Sequence, residues 1–577
     1  VAGGPNKNSS PPLALLPEAL NVWQWRMLSG WRSWYRSTWV YRRFLTGQLT
    51  DRIDYQPQDL LPRRLEEADG LLRGRFKFEG EMAEAAGKSI FDVVPPSRTW
   101  QEALHSFAFL PALAAAGGEP ARVLATNLVT QWLKRFGKYS EPAWSPHVIA
   151  RRLLAIFAHG RFILTNCDML WRSKVFVSLR EQSRMLARIA AEAPEGLPRI
   201  EAATALALSG VCLADASRRL QIGLERLEAE LALQILPDGG HISRSPEALV
   251  EVYRHILMVV EALGFSGYPV PVGVRGALDR MSPMIRFFRH GDGGLALFNG
   301  GGESIPRMVQ VLLQRDDVKG QPFGYARHSG YHRLSANRTM VLLDCGTPPP
   351  GVYSNSAHAS CLAFELSAGI QRLIVNCGTG SLAGHWRWQN ALRATAAHST
   401  LTLADTSSAT VLREGWIRRM IGARLLHGPQ QIETRRIETE KGTTVVASHD
   451  GYVQPFGVRH ERELTLSPHG LALTGLDRLI PTHEQRQALT YAIRFHVHPD
   501  VRVSTAQSGD VLLKLPNGEG WRVRATGPLA IEESVYLGGD TVRRTEQIVI
   551  SSTVRSDTVE IGWIIEQIGA ATGSTSH

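Results

Sequence analysis

Cysteine is scarce in this chain. Its five residues, Cys167, Cys212, Cys345, Cys361 and Cys377, are odd in number and form no CxxC pair, which excludes a disulfide scaffold and a zinc ribbon. No uninterrupted apolar run approaches the roughly 20 residues that span a bilayer, so no transmembrane segment is expected. Rossmann, Walker, zinc-finger and RNA-recognition motifs are missing, as is any repeat of fixed period. Nucleic acid is therefore not an expected partner. The start of the chain has neither the basic stretch nor the apolar core of a secretory signal, which leaves cytoplasm and periplasm both open. Residues 1–15 and 570–577 are polar, small or Pro/Gly-rich and read as disordered tails.

What the chain does have is length and positive charge. At 577 residues it exceeds what one hydrophobic core organises, so at least two domains are expected. Lys plus Arg number 64 against 54 Asp plus Glu, a formal charge of +10 that favours anionic partners. From residue 16 to 290 apolar and charged residues interleave at three- and four-residue spacing, with Pro and Gly at the breaks. This predicts a helical domain, with helices over Ala121–Phe136, Arg199–Leu213 and Pro246–Leu263 among others. From 291 to 569 the texture changes to short Val/Leu/Ile/Thr-rich runs of period two between turn residues, such as Thr339–Leu343, Gln371–Val375 and Tyr491–His496. That pattern predicts a β-sandwich. The Gly-rich stretch Gly291–Gly302 marks the boundary.

The densest chemistry lies between Tyr353 and His398. Histidines lead into strands there, and Trp386, Arg387, Trp388 and Arg393 combine flat apolar faces with fixed positive charge. Sugar rings stack on indoles and carboxylates accept guanidinium hydrogen bonds, so these four suit an acidic glycan. Upstream, His241 and Arg244 sit in a loop that opens the Pro246 helix, where side chains can project over a cleft. His241 could shuttle a proton and Arg244 could fork onto a carboxylate.

Four segments carry a family likeness: Leu236-Pro-Asp-Gly-Gly-His-Ile-Ser-Arg-Ser-Pro246, His358-Ala-Ser-Cys-Leu-Ala-Phe-Glu-Leu366, Leu373-Ile-Val-Asn-Cys-Gly378 and Ala397-His-Ser-Thr400, supported by Trp100–Phe107, Trp144–Leu154 and Arg459–Leu466. With a helical half followed by a strand-rich half, the chain resembles the heparinase II/III family of polysaccharide lyases. The resemblance implies an N-terminal incomplete α/α toroid and a C-terminal antiparallel β-sandwich, with an acidic, uronic-acid-containing polysaccharide cleaved by β-elimination. A base removes the C5 proton, a cation or hydrogen-bond donor neutralises the carboxylate, and an acid protonates the leaving oxygen. The expected roles are His358 or His241 as base, Arg244 or Arg393 as carboxylate clamp, and Tyr253 or Tyr353 as acid, with His398 lining the cleft.

The match is incomplete at working positions. Where the family often has an Asn-His pair this chain has Leu197-Pro198, and where a catalytic Tyr is usual it has Glu247-Ala248. Of a His-x-His-x-Asp pattern only His358 is kept, between Ser356 and Ser360. The resemblance also implies a structural zinc at the positions of His358, Asn376 and His398. No cofactor is required by the chemistry, and the other expectation for these residues is a hydrogen-bonded histidine pair, because Asn is a poor zinc ligand. Two competing classes follow: an acidic-glycan-binding protein that has lost turnover, and a glycoside hydrolase on the same scaffold.

A second Trp/Arg cluster runs through residues 23–44, from Trp23-Gln-Trp-Arg26 to Trp39-Val-Tyr-Arg-Arg-Phe44. Packing against the helical half is the simpler expectation. Peripheral contact with a membrane or other anionic surface is the alternative.

Overall fold

The computed structural model describes residues 15–569 apart from 48–50, 61–64, 214–216, 305, 316–321, 380–385, 484–487, 540 and 555–557. The two tails expected to be disordered thus fall, save Leu15, outside the described residues. Backbone contacts divide the described residues into two compact units: one comprises Pro17–Ile235 and Val250–Asp279, the other Leu236–Leu249 and the residues from Arg280 onward.

The first unit is helical. Gly118–Phe136, Pro146–Leu164, Met169–Ile189, Leu197–Cys212 and Ser217–Gln234 bury apolar faces on one another. Several starts are set by local chemistry. Asp168 accepts the Trp171 amide and Ser97 the Trp100 amide, satisfying donors that a helix start leaves open. Pro occupies the first turn of Pro146–Leu164 and of Leu197–Cys212, where its missing N–H costs nothing. Two short helices, Arg98–His105 and Phe109–Ala116, stand where one longer one could run, because Phe107 takes φ +60°. A small hairpin, Arg75–Phe78 with Glu81–Glu84, interrupts the helical texture unannounced by its sequence. Arg152, fully buried, anchors the centre: it donates to Gln182 and to the His105 and Ala143 carbonyls and stacks 4.2 Å from the Trp132 ring.

The second unit is a pair of antiparallel sheets. Among the described residues the eight-stranded sheet runs Ile432–Thr439, Gly442–His449, Val458–Leu466, Ala472–Pro481, Val559–Gln567, Gly520–Ala525, Val511–Lys514, Arg502–Thr505. The nine-stranded sheet runs Leu529–Tyr536, Arg543–Val554, Leu489–Val497, Gln371–Val375, Phe364–Ala368, Thr339–Asp344, Tyr331–Ala336, Tyr325–Ala326, with Leu401–Leu403 also on Leu489–Val497. Strand Val458–Leu466 alternates strictly between buried and half-buried residues, the period-two signature of a sheet with one face in the core. Phe364 stacks on Trp563 with ring centroids 5.5 Å apart, joining the two inner faces.

One buried ionic cluster ties the sandwich to the segments that follow His358 and His398. Asp477 accepts Arg462 Nε, Arg462 Nη2, His460 Nε2 and Trp563 Nε1, all at 2.7–3.1 Å. Arg462 Nη1 then reaches the carbonyls of Leu362 and Ser399, one residue beyond His398. Burial opposes the Asp477 charge, but Arg462 and His460 outweigh it and hold the carboxyl well below its ordinary range.

Candidate functional site

In the sandwich unit His358 and His398 form a dyad, His358 Nδ1 lying 2.9 Å from His398 Nε2. The tautomers follow from the second partner. His398 Nδ1 lies 2.9 Å from the Ala394 carbonyl and must donate to it, so its Nε2 is an acceptor and His358 Nδ1 carries a proton. His358 Nε2 is then a bare lone pair, buried and without a hydrogen-bond partner. Burial, with His398 and Arg393 nearby, keeps His358 neutral far below the usual histidine range, and burial lowers His398 to about 4.

Two further groups meet in the same unit. The rings of His241 and Tyr353 pack edge to face at 6.3 Å. His241 Nδ1 accepts the Ser243 amide at 3.2 Å, which puts the imidazole proton on Nε2, and burial lowers its pKa to about 4. Asn299 links this loop to the dyad: its Oδ1 accepts the His358 amide at 3.2 Å, and its Nδ2 donates to Tyr331, whose hydroxyl donates to the Arg244 carbonyl. Gly300, at φ +86°, lets the chain pass the Ser356 carbonyl, where an added Cβ would sit at 2.7 Å.

Comparison with known proteins decides what this frame is. A profile of the Heparinase II/III-like, C-terminal family matches residues 318–564. FtsZ-localized protein C of Caulobacter vibrioides (strain NA1000 / CB15N) is 32% identical over 547 residues, covering 92% of this chain and 93% of that protein. The chain belongs to the heparinase II/III family. The fold agrees: a crystal structure of heparinase III superposes with a TM-score of 0.71 at 15% identity, covering 93% of this chain and 89% of that one. Heparan sulfate lyase HepC from Pedobacter heparinus gives 0.57 at 16%, covering 91% and 87%. The toroid-plus-sandwich class expected from sequence is thus the observed one.

Within this heparinase-type frame the arginines expected to clamp a carboxylate are committed elsewhere. Arg244 ion-pairs with Asp344 and donates to the Ser329, Gly346 and Thr347 carbonyls at 2.8–3.1 Å, with its guanidinium 4.7 Å from the Tyr331 ring centre. Burial works against its charge, and Asp344 with Tyr331 more than offsets that. Arg393 donates Nε to Ala357, Nη1 to Ala423 and Nη2 to Ser354, all backbone carbonyls at 2.7–2.8 Å. These side chains gather loops instead of presenting a fork to a ligand.

Tyr253 is 1% exposed and belongs to the helical unit, so its phenol is core, not an accessible acid. Trp388 is half-buried and packs with Cys377, Leu392, Ala397 and Leu537. The side chains of Trp386 and Arg387 lie outside the described residues. The zinc positions do not fit a metal in this arrangement. Asn376 Oδ1 accepts the Ser399 amide at 3.0 Å, its Nδ2 donates to Glu365 at 3.0 Å, and His398 has both nitrogens engaged. Only His358 Nε2 would remain to ligate, and one donor does not make a zinc site.

The residues that sequence reading missed are those that hold the frame: Asp344, Glu365 and Asn299. Asp344 receives Arg244 and the Ser360 hydroxyl, and Glu365 receives His290 Nε2, the Leu297 amide and Asn376. Each carboxylate stands in an otherwise apolar strand run, a signal that its charge is paired inside the fold.

Proposed function

We propose that this chain is a non-catalytic envelope-surface protein on a polysaccharide-lyase fold, which contacts anionic membrane through residues 23–44. The observation that carries the reading is helix α1 (Leu16–Ser37). Leu20, Trp23, Met27, Trp31 and Trp34 recur at three- and four-residue spacing on one face, and all are exposed, Trp31 at 67%. The next helix, α2 (Trp39–Arg43), adds Trp39 at 73% and leads into exposed Phe44. Packing was the simpler expectation for this cluster, and one side of it does pack: Ala19, Tyr41 and Leu45 are buried, Arg36 pairs with Glu192, Arg42 with Glu181, and Ser33 with Tyr139.

An apolar stripe of this size turned to solvent marks a docking face. Its occupant is indicated by charge. Five arginines accompany a single acid, Glu18, between residues 16 and 45, so the segment keeps a positive balance after its two ion pairs. Indoles seat at the headgroup level and arginines meet anionic lipid. No helix among the described residues is long and apolar enough to cross a membrane. Likeness to FtsZ-localized protein C over nearly the whole length supports a site of action shared with FtsZ.

The lack of turnover rests on Arg244 and Arg393. Elimination needs a group that neutralises the carboxylate as the C5 proton leaves. Arg244 spends its donors on Asp344 and backbone carbonyls and Arg393 turns three of its N–H groups to backbone carbonyls, and a histidine held far below its usual pKa is a weak base for a carbon acid. The test is flotation of the full chain with vesicles. Phosphatidylglycerol-containing vesicles should carry it, pure phosphatidylcholine much less, and added salt should weaken attachment. A chain that never floats, or a Trp31→Ala/Trp34→Ala variant that floats equally well, overturns the reading; a concentration-dependent dimer lost in that variant would assign the face to a second copy.

A polysaccharide lyase acting on an acidic glycan is the second reading, favoured by the bare His358 Nε2 and, in the same unit, the His241–Tyr353 pair. Near-ultraviolet absorbance of a 4,5-unsaturated product from uronate polymers, abolished by His358→Ala, would establish it.

A further inference from the structure

The helix Met169–Ile189 carries a row of three arginines, Arg180, Arg184 and Arg188, at four-residue spacing. Side chains so spaced share one helix face, about 6 Å apart along the axis. The chain that leaves α2 holds each of them. Arg188 Nη2 donates to the Phe44 carbonyl at 3.0 Å, Arg184 Nη1 to the Thr46 carbonyl, and Arg180 Nη1 to the Gly47 carbonyl at 2.7 Å. Gly47 makes room for the Arg184 guanidinium, which an added Cβ would strike. Carbonyls orient these groups and leave their charge whole.

The charge here is not balanced. Among the described residues none of the three arginines has a carboxylate partner, and each keeps its other terminal nitrogen unspent. The acids alongside are taken, Glu181 by Arg42 and Glu192 by Arg36. Nearer the helix start, Arg172 and Lys174 are matched in charge by Asp168 and Asp51. Three net positive charges therefore stand on one face, and like charges four residues apart repel. Bound anions would relieve that repulsion. Building on the membrane-contact reading, we infer that Arg180, Arg184 and Arg188 form a second element of that contact, a row that takes the phosphates of anionic lipid. Continuity with the aromatic stripe selects lipid over other anions. Phe44, whose carbonyl fixes Arg188, ends that stripe and is itself 57% exposed, so the row begins where the apolar face stops. The unspent guanidinium donors suit phosphate oxygens.

The experiment varies lipid charge and reads affinity. The full chain is titrated with phosphatidylcholine vesicles containing a rising fraction of phosphatidylglycerol, and wild-type affinity should climb with that fraction. Arg184→Gln should weaken binding to the phosphatidylglycerol-rich vesicles about fivefold, and the triple variant Arg180→Gln/Arg184→Gln/Arg188→Gln about a hundredfold. Arg→Lys at the same three positions keeps the charge and should keep the climb. Trp31→Ala/Trp34→Ala should instead lower affinity at every composition and leave the climb intact. An equal climb in the triple glutamine variant overturns the row while the membrane-contact reading stands; saturable binding of an oligoglutamate peptide, lost in that same variant, would then give the row to an acidic protein segment. Loss of the climb in the lysine variant also overturns the row, making these arginines props for the preceding chain only. If the triple variant melts early, Arg184→Gln and Arg188→Gln singly still report the slope. A wild type that binds no vesicle of any composition overturns the membrane-contact reading and the row with it.

Discussion

Two Trp/Arg-rich segments of this chain have exchanged the roles their compositions invite. At 386–393, beside the histidines of the sandwich, Arg393 gathers three backbone carbonyls and Trp388 packs into a small apolar cluster. At 23–44 Trp23, Trp31, Trp34 and Trp39 face solvent while Arg36 and Arg42 make internal ion pairs. Arginine offers five donors in a rigid fork, equally suited to a ligand carboxylate or to scattered carbonyls. Which use wins depends on whether the fold leaves acceptors within reach, and residue type alone does not say.

The contrast can be broken by experiment. Arg244→Ala should cost about 3–5 kcal/mol of folding stability, because it strands Asp344 in the interior, measured as a lower denaturant midpoint. A variant of wild-type stability would mean that this arginine is available to a ligand after all. Acid should weaken the sandwich next. His241 and the His358–His398 pair are held below the ordinary 6.5 in the folded state, so the unfolded chain takes up protons first as pH falls. Their contribution is complete above pH 6.5 and declines toward pH 4, by roughly 3 kcal/mol per pH unit if two protons are involved. Denaturation midpoints flat across that window would disprove the buried-neutral assignment.

The helical segment should respond in the opposite way. Trp31→Ala and Trp34→Ala should each remove about 2 kcal/mol of vesicle affinity while folding stability moves by less than about 0.5 kcal/mol. The smallest expected effect is His358→Gln, about 1 kcal/mol from the lost bond to His398, since its Nε2 contacts no partner to strand.

The fold was legible because its signals are periodic and long. Helices such as Pro246–Ser266 and strands such as Gln371–Val375 lie within a few residues of the expected spans. Leu236–Leu249 nevertheless folds with the sandwich unit, because Arg244 bonds Ser329, Gly346 and Asp344, partners about 85 to 100 residues away that no local pattern announces. The site was legible as a set of positions and not as a set of jobs. His358 and His398 do meet, as do His241 and Tyr353, yet the acceptors that occupy Arg244 and Arg393 are mostly main-chain oxygens, which carry no residue identity.

The contacts of Asn376 show how much more than one substitution would be needed for this arrangement to hold a metal. Its amide nitrogen donates to Glu365 at 3.0 Å while its oxygen takes the Ser399 amide. An aspartate there would replace that donor with a second oxygen, leaving two carboxylates in contact at a fully buried point. Asn376→Asp would therefore not act alone: Glu365 would have to change with it or a cation arrive at the same moment.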